Sequence, residues 1–167
     1  MKIFDCITYY NEPLLFEIRL NVLDKFVDKF IVVESNFTHS GQKKHNNFDK
    51  LKYPKFKDKI LHVCLDKDAD NIKLPEKTNR RENSIKRISF QRNSIINFLS
   101  EADKDDWIIY SDSDEIPNLN DVNFKKEKSK IIFFNQKLFY YKFDLHLPSV
   151  NWFGSRAIKL KNLKTIS

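Results

Sequence analysis

The run Trp107-Ile108-Ile109-Tyr110 is apolar at every position and stops abruptly in Ser111-Asp112-Ser113-Asp114-Glu115-Ile116-Pro117. A strand without polar alternation has no face to offer to water. It needs a covering layer on each side, which selects an α/β architecture with a parallel sheet between helices. The chain surfaces at Ser111, so Asp112 and Asp114 fall at the C-terminal edge of the strand, where open α/β sheets bind ligands. Two carboxylates one residue apart can share a hard divalent cation, Mn²⁺ or Mg²⁺, and a cation so held bridges to a diphosphate. Taken alone, an Asp-X-Asp after a strand reads equally as a solvated acidic turn.

The preceding segments supply the rest of such a sheet. Residues 2–7 are rich in β-formers and are ended by Tyr9-Tyr10-Asn11-Glu12-Pro13. From Leu14 onward, Leu15, Ile18, Leu20, Val22, Leu23, Phe26 and Val27 recur at helical spacing, with Glu17, Arg19, Asn21 and Asp24 on the other face. Residues 30–33 form a second apolar run ending in Glu34, followed by a polar loop to Gly41, so the chain opens as a βαβ unit. Residues 48–59, lysine-rich around Pro54, predict a short helix or irregular excursion, and residues 60–65 a third strand. Residues 66–82 are charged and aperiodic, which predicts a solvated loop or a mobile lid. Ile85, Ile88, Phe90, Ile95, Ile96, Phe98 and Leu99 predict a helix over 82–100, with Arg87, Gln91 and Arg92 interleaved. Beyond the acids, residues 121–130 read as a charged connection, and 131–134 and 138–143 as two strands around Asn135-Gln136-Lys137. Aromatic residues crowd this last part, as core or as an exposed ring surface. Trp152, beside Gly154, is suited to stack on a sugar ring.

Composition narrows the function. At 167 residues the chain fits a single domain, 1–167. Only 2 glycines exclude a glycine-rich phosphate loop. A net charge of +7 invites a nucleic-acid partner, yet the lysines are spread along the chain and mixed with acids, so no nucleic acid is expected. Cys6 and Cys64 sit in apolar runs and predict two buried free thiols rather than a zinc site; His39, His45, His62 and His146 lack metal-ligand spacing and read as structural or surface groups. With no leader-like start and no span of about 18 apolar residues, the expectation is a cytoplasmic protein without a membrane span.

Four stretches, in order and spacing, resemble glycosyltransferase family 17: Phe4-Asp5-Cys6 with Asn11-Glu12 and Leu15-Phe16-Glu17-Ile18-Arg19-Leu20; Val33-Glu34-Ser35-Asn36-Phe37-Thr38 with Gly41; Phe56-Lys57-Asp58-Lys59-Ile60; and Ser111 through Pro117. The resemblance implies a GT-A-like, Rossmann-type fold with a mostly parallel sheet flanked by helices. It also implies a UDP-type nucleotide-sugar donor, a glycan acceptor, a divalent metal, and inverting transfer of a sugar such as N-acetylglucosamine. On that basis Asp112 and Asp114 are the expected metal ligands, and Thr8, Tyr9, Tyr10 and Asn11 line the base pocket. Glu34 stands near the nucleoside and Trp152 on the acceptor side. Gln91 and Arg92 either reach the phosphates or sugar, or Arg92 pairs with the acids. Glu115 is either the catalytic base or a carboxylate that orients the turn, with Asp144 the other carboxylate in range. Family members continue past a region such as Trp152 to Gly154, so acceptor-side groups are expected to be fewer here than donor-side groups. The competing expectations are a nucleotide-sugar-binding module without efficient turnover, and a metal-dependent phosphatase or nuclease, which would call for more acids and histidines.

Overall fold

The computed structural model describes residues 1–142 and 144–166. Its elements are β1 (Ile3–Tyr9), α1 (Pro13–Leu23), β2 (Lys29–Ser35), β3 (Ile60–Leu65), α2 (Arg80–Ser94), β4 (Trp107–Asp112), β5 (Ile131–Phe133) and β6 (Arg156–Lys159). They build a six-stranded sheet in the order β3-β2-β1-β4-β6-β5. The first four strands in that order are mutually parallel, whereas β6 runs antiparallel to both β4 and β5. The fold is therefore α/β with a mixed sheet.

Strand alternation decides which layer each side chain meets. Ile3, Ile7 and Tyr9 of β1, Phe30 and Val32 of β2, and Trp107 and Ile109 of β4 share a core with Phe16, Leu20 and Leu23 of α1. Phe4, Cys6, Ile31, Val33 and Ile108, their neighbours in sequence, share the other core with Ile95 and Leu99, which continue α2. Since parallel crossovers are right-handed, a chain that returns across β1 to reach β4 must use the opposite face of the sheet, and α2 occupies it. Residues 48–59 are the expected excursion, two 3₁₀ turns at Lys50–Lys52 and Pro54–Phe56. Its Phe48 and Tyr53 join Tyr9 and Phe16 in one ring cluster with centroid separations of 5.1 to 6.0 Å.

Several expectations fail for physical reasons. Arg19, assigned to the outer face of the first helix, is fully buried, while Ile18 and Val22 are exposed. The buried stripe of α1 is Phe16, Arg19, Leu20 and Leu23, an i, i+3, i+4, i+7 pattern that admits a cation because Asp5 faces it. The buried residues of α2 are Asn83, Arg87, Gln91 and Ser94, with Ile85 exposed. Two of them, Asn83 and Arg87, hold down the segment expected to be a solvated loop or a mobile lid. Asn83 both accepts from Lys73 N and donates to Lys73 O at 2.9 Å, and Arg87 donates twice to Asp68 at 2.7 Å and to Glu76 at 3.1 Å. Residues 66–82 are tethered rather than lid-like. The strand expected at 138–143 is not formed among its described residues; Phe143 lies outside them. Isolated bridges join Gln136 to Trp152 and Phe139 to His146 instead, and β5 finds its partner in β6, which the sequence reading did not anticipate. Cys6 is buried, but Cys64 is only partly so and donates to Asn46 Oδ1 at 2.7 Å.

Candidate functional site

β2 and β3 lie on one side of β1 and β4 on the other, so the loops leaving β1 and β4 diverge at their carboxyl ends and open a crevice. A cavity of about 560 Å³ fills it. Thr8 and Asp112, paired in register, both line it. Other walls come from Ser35 and the Thr38–Ser40 turn after β2, from Ile88, Gln91 and Arg92 of α2, and from Asp114 after β4. Gly41 closes the Thr38 turn, donating to Thr38 O at 2.9 Å with φ +91°. A Cβ there would run into the Arg87 guanidinium, so both conformation and space require glycine.

The same alternation that builds the two cores sorts the acidic turn. Even-numbered Tyr110 and Asp112 face the α2 side, where Arg92 Nη2 donates to both Asp112 oxygens at 3.0 and 3.1 Å and the Tyr110 hydroxyl donates at 3.1 Å. Burial and then the Asp112 charge push the Tyr110 phenol up, so it stays a donor. Arg92 therefore pairs with Asp112, although its Nε is buried beside the cavity with no partner among the described residues. Asp114, by contrast, is exposed and its carboxylate has no partner among the described residues. No three His, Cys, Asp or Glu converge there among the described residues. One free carboxylate with a second beside it still suits a cation such as Mg²⁺ or Mn²⁺, which fills most of its shell from substrate phosphates and water.

A second cavity of about 350 Å³ adjoins the first, and Leu15 and Asp114 line both. Glu115, Gln136, Phe139 and Trp152 border it. The Glu115 carboxylate spans the turn, with Oε2 accepting from Asp112 N at 3.1 Å and Oε1 from Trp152 Nε1 at 2.7 Å. A Cβ on Gly154 would collide with that carboxylate, so the glycine makes room for it. The Glu115 carbonyl accepts from Ser155 Oγ at 2.9 Å and from Arg19 Nη1 at 2.8 Å.

The remaining expected residues divide. Tyr10, 52% exposed, lines the larger cavity, with Lys44 Nζ 5.2 Å from its ring centroid. Tyr9 borders the cavity, but its ring belongs to the aromatic core. Asn11 and Asp144 line neither cavity. Glu34 lines neither cavity. Its side chain is fully buried and accepts from Lys44 Nζ, from Asn47 N at 2.7 Å and from Phe48 N at 3.0 Å, with His62 Nε2 3.5 Å away. Burial pushes this carboxyl up, but those hydrogen bonds outweigh it and hold the group below its ordinary value. In this structure it anchors Lys44 of the cavity wall and the backbone at Asn47 and Phe48. His39, expected to be structural or surface, borders the larger cavity. Arg19, Lys44, Ser155 and Gly154 were not anticipated. One signal was present: an acid, Asp5, inside a buried strand demands a buried cation.

A family model described as Glycosyltransferase family 17 matches residues 1–165. No curated protein matches the chain.

Proposed function

The chain belongs to glycosyltransferase family 17, and from that premise we propose that it moves a sugar from a nucleotide-sugar donor in the larger cavity to a glycan hydroxyl in the smaller one. The observation that carries this reading is that the two cavities meet at Asp114 and Leu15, with the Glu115 carboxylate on the acceptor side of the junction. The four parallel strands and the switch point beside β1 support a GT-A-like assignment. The exposed Tyr10 ring offers a face to the nucleobase, and Lys44 and Arg92 bring positive charge toward the diphosphate. Asp114, with Asp112 beside it, would hold a divalent metal, which would supply charge neutralisation for the departing nucleoside diphosphate.

Glu115 takes the base role. Each of its carboxylate oxygens accepts one hydrogen bond, leaving lone-pair capacity toward the smaller cavity. The acceptor hydroxyl gives its proton to Glu115 as its oxygen bonds to the anomeric carbon, while the bond from that carbon to the diphosphate breaks on the opposite face, with inversion. Trp152, 42% exposed, and Phe139 supply ring faces for the acceptor. N-acetylglucosamine is the sugar the family resemblance favours. The test is calorimetric titration with UDP and UDP-N-acetylglucosamine, with and without Mn²⁺, on the parent and Asp114→Ala. Binding that strengthens with Mn²⁺ in the parent and loses that dependence in the variant supports the reading. Unchanged Mn²⁺ dependence in the variant removes the metal role of Asp114, and failure of the parent to bind any nucleotide-sugar removes the donor site.

A further inference from the structure

Arg19 is fully buried, and its guanidinium is engaged at every nitrogen. Nε and Nη2 form a fork onto Asp5 at 2.7 Å each, and Nη2 also donates to Ser111 Oγ at 2.6 Å. Nη1 reaches the Glu115 carbonyl at 2.8 Å and the Asp112 carbonyl at 3.4 Å. Those two carbonyls are the ends of the acidic turn, which is itself closed by Glu115 N donating to Asp112 O at 3.1 Å. One side chain from α1 thus ties the central strand to both ends of the loop that displays Asp114 and Glu115.

We infer that Asp5 and Arg19 form a positioning pair for the acidic turn: Asp5 orients the guanidinium, and the guanidinium fixes where Asp114 and Glu115 point. A buried ion pair is a poor device for stability alone, because well-packed apolar residues of similar volume serve as well or better. What apolar residues cannot supply is donors for the two turn carbonyls. The consequence for catalysis rests on the reading of this turn as the transfer site, whereas the positioning itself can be measured without any substrate.

The two tryptophans provide the measurement. Trp107 Nε1 donates to Phe124 O at 3.1 Å within the core, and Trp152 Nε1 donates to Glu115 Oε1 at 2.7 Å on the turn. In ¹⁵N-labelled protein, the double variant Asp5→Leu/Arg19→Met removes both charges together and is expected to melt cooperatively. Its Trp107 indole resonance should stay in place while that of Trp152 shifts and its N–H exchanges faster with water. Arg19→Lys keeps a cation for Asp5 but lacks the fork, and should move the Trp152 signal in the same direction. With UDP-N-acetylglucosamine, both variants should lose roughly 100-fold in kcat for donor hydrolysis or transfer, with a much smaller change in donor KM. A folded double variant or Arg19→Lys protein whose Trp152 resonance and kcat match the parent overturns the inference. If the parent binds no nucleotide-sugar, the transfer reading falls and the indole resonances still decide the positioning.

Discussion

Glu115 is held at its backbone by Arg19 and Ser155 and at its carboxylate by Trp152 and the Asp112 amide. That fixity is what a base needs, because proton transfer requires hydrogen-bond reach at the moment of attack. Glu115→Gln keeps the shape and removes the basicity. Transfer should fall about 10²- to 10⁴-fold while donor affinity measured by calorimetry stays within a factor of two. Equal loss of both would assign Glu115 to donor binding instead. Gly154→Ala tests the same residue from outside. The added Cβ displaces the carboxylate, and an overpacking cost of about 1–3 kcal/mol is expected in a denaturant titration, together with loss of transfer. Asp114→Ala, at an exposed position with no partner among the described residues, should leave stability within about 0.5 kcal/mol of the parent.

Among the elements, α2 shows how far sequence patterning reaches. The helix was legible from its spacing, but the face it buries was not, since Asn83, Arg87 and Gln91 look like solvent residues until their partners are in place, the preceding loop for Asn83 and Arg87 and the Val33 carbonyl of β2 for Gln91. β1, β2 and β4 were legible because their short apolar runs match strands covered on both faces, and β3, a partly buried edge strand, from its run of β-forming residues alone. β6 was not, because it is four residues long with only Ala157 fully buried. The aromatics of 138–142 satisfy β-propensity yet pack little; Tyr141 is 88% exposed, and packing rather than propensity makes strands. The two acids of the site could be read from their place after a strand. Their supports could not, as Arg19 and Ser155 come from segments far along the chain from the turn they hold. An element-level prediction follows from α2. Arg87→Met removes charged hydrogen bonds to Asp68 and Glu76 and should lower stability by about 1.5–3 kcal/mol. Amide exchange should accelerate in residues 66–79 more than in β1, and uniform acceleration would show that Arg87 supports the whole fold rather than this loop.

Across the whole molecule, Glu34 and Asp68 fasten connections that follow β2 and β3, one beneath the wall of the larger cavity and one against α2. Both carboxyls sit below their ordinary values, Glu34 because the nearby His62 imidazole and hydrogen bonds from Lys44 and two backbone amides overcome its burial, and Asp68 chiefly because Arg87 donates to it. A carboxyl depressed in the folded state binds its proton more readily when unfolded, so stability rises with pH through its titration. Their contributions are complete above the ordinary values of 4.5 for Glu34 and 3.8 for Asp68, and are lost as pH falls from there through the lowered folded values. Protonation also adds to a formal charge already at +7, so repulsion works in the same direction. Melting temperature should be nearly flat from pH 7 to 5 and drop steeply below pH 4.5, at about 2–4 °C per kcal/mol for a chain of this size. Glu34→Gln keeps the side chain's size but cannot titrate; it should melt lower than the parent at pH 7 and converge on it as pH falls below 4.5 through the lowered folded value. Parallel curves for parent and variant across that range would show that the Glu34 carboxylate contributes no pH-dependent stability, and that the wall it anchors is held by packing of Phe48 and Tyr53 alone.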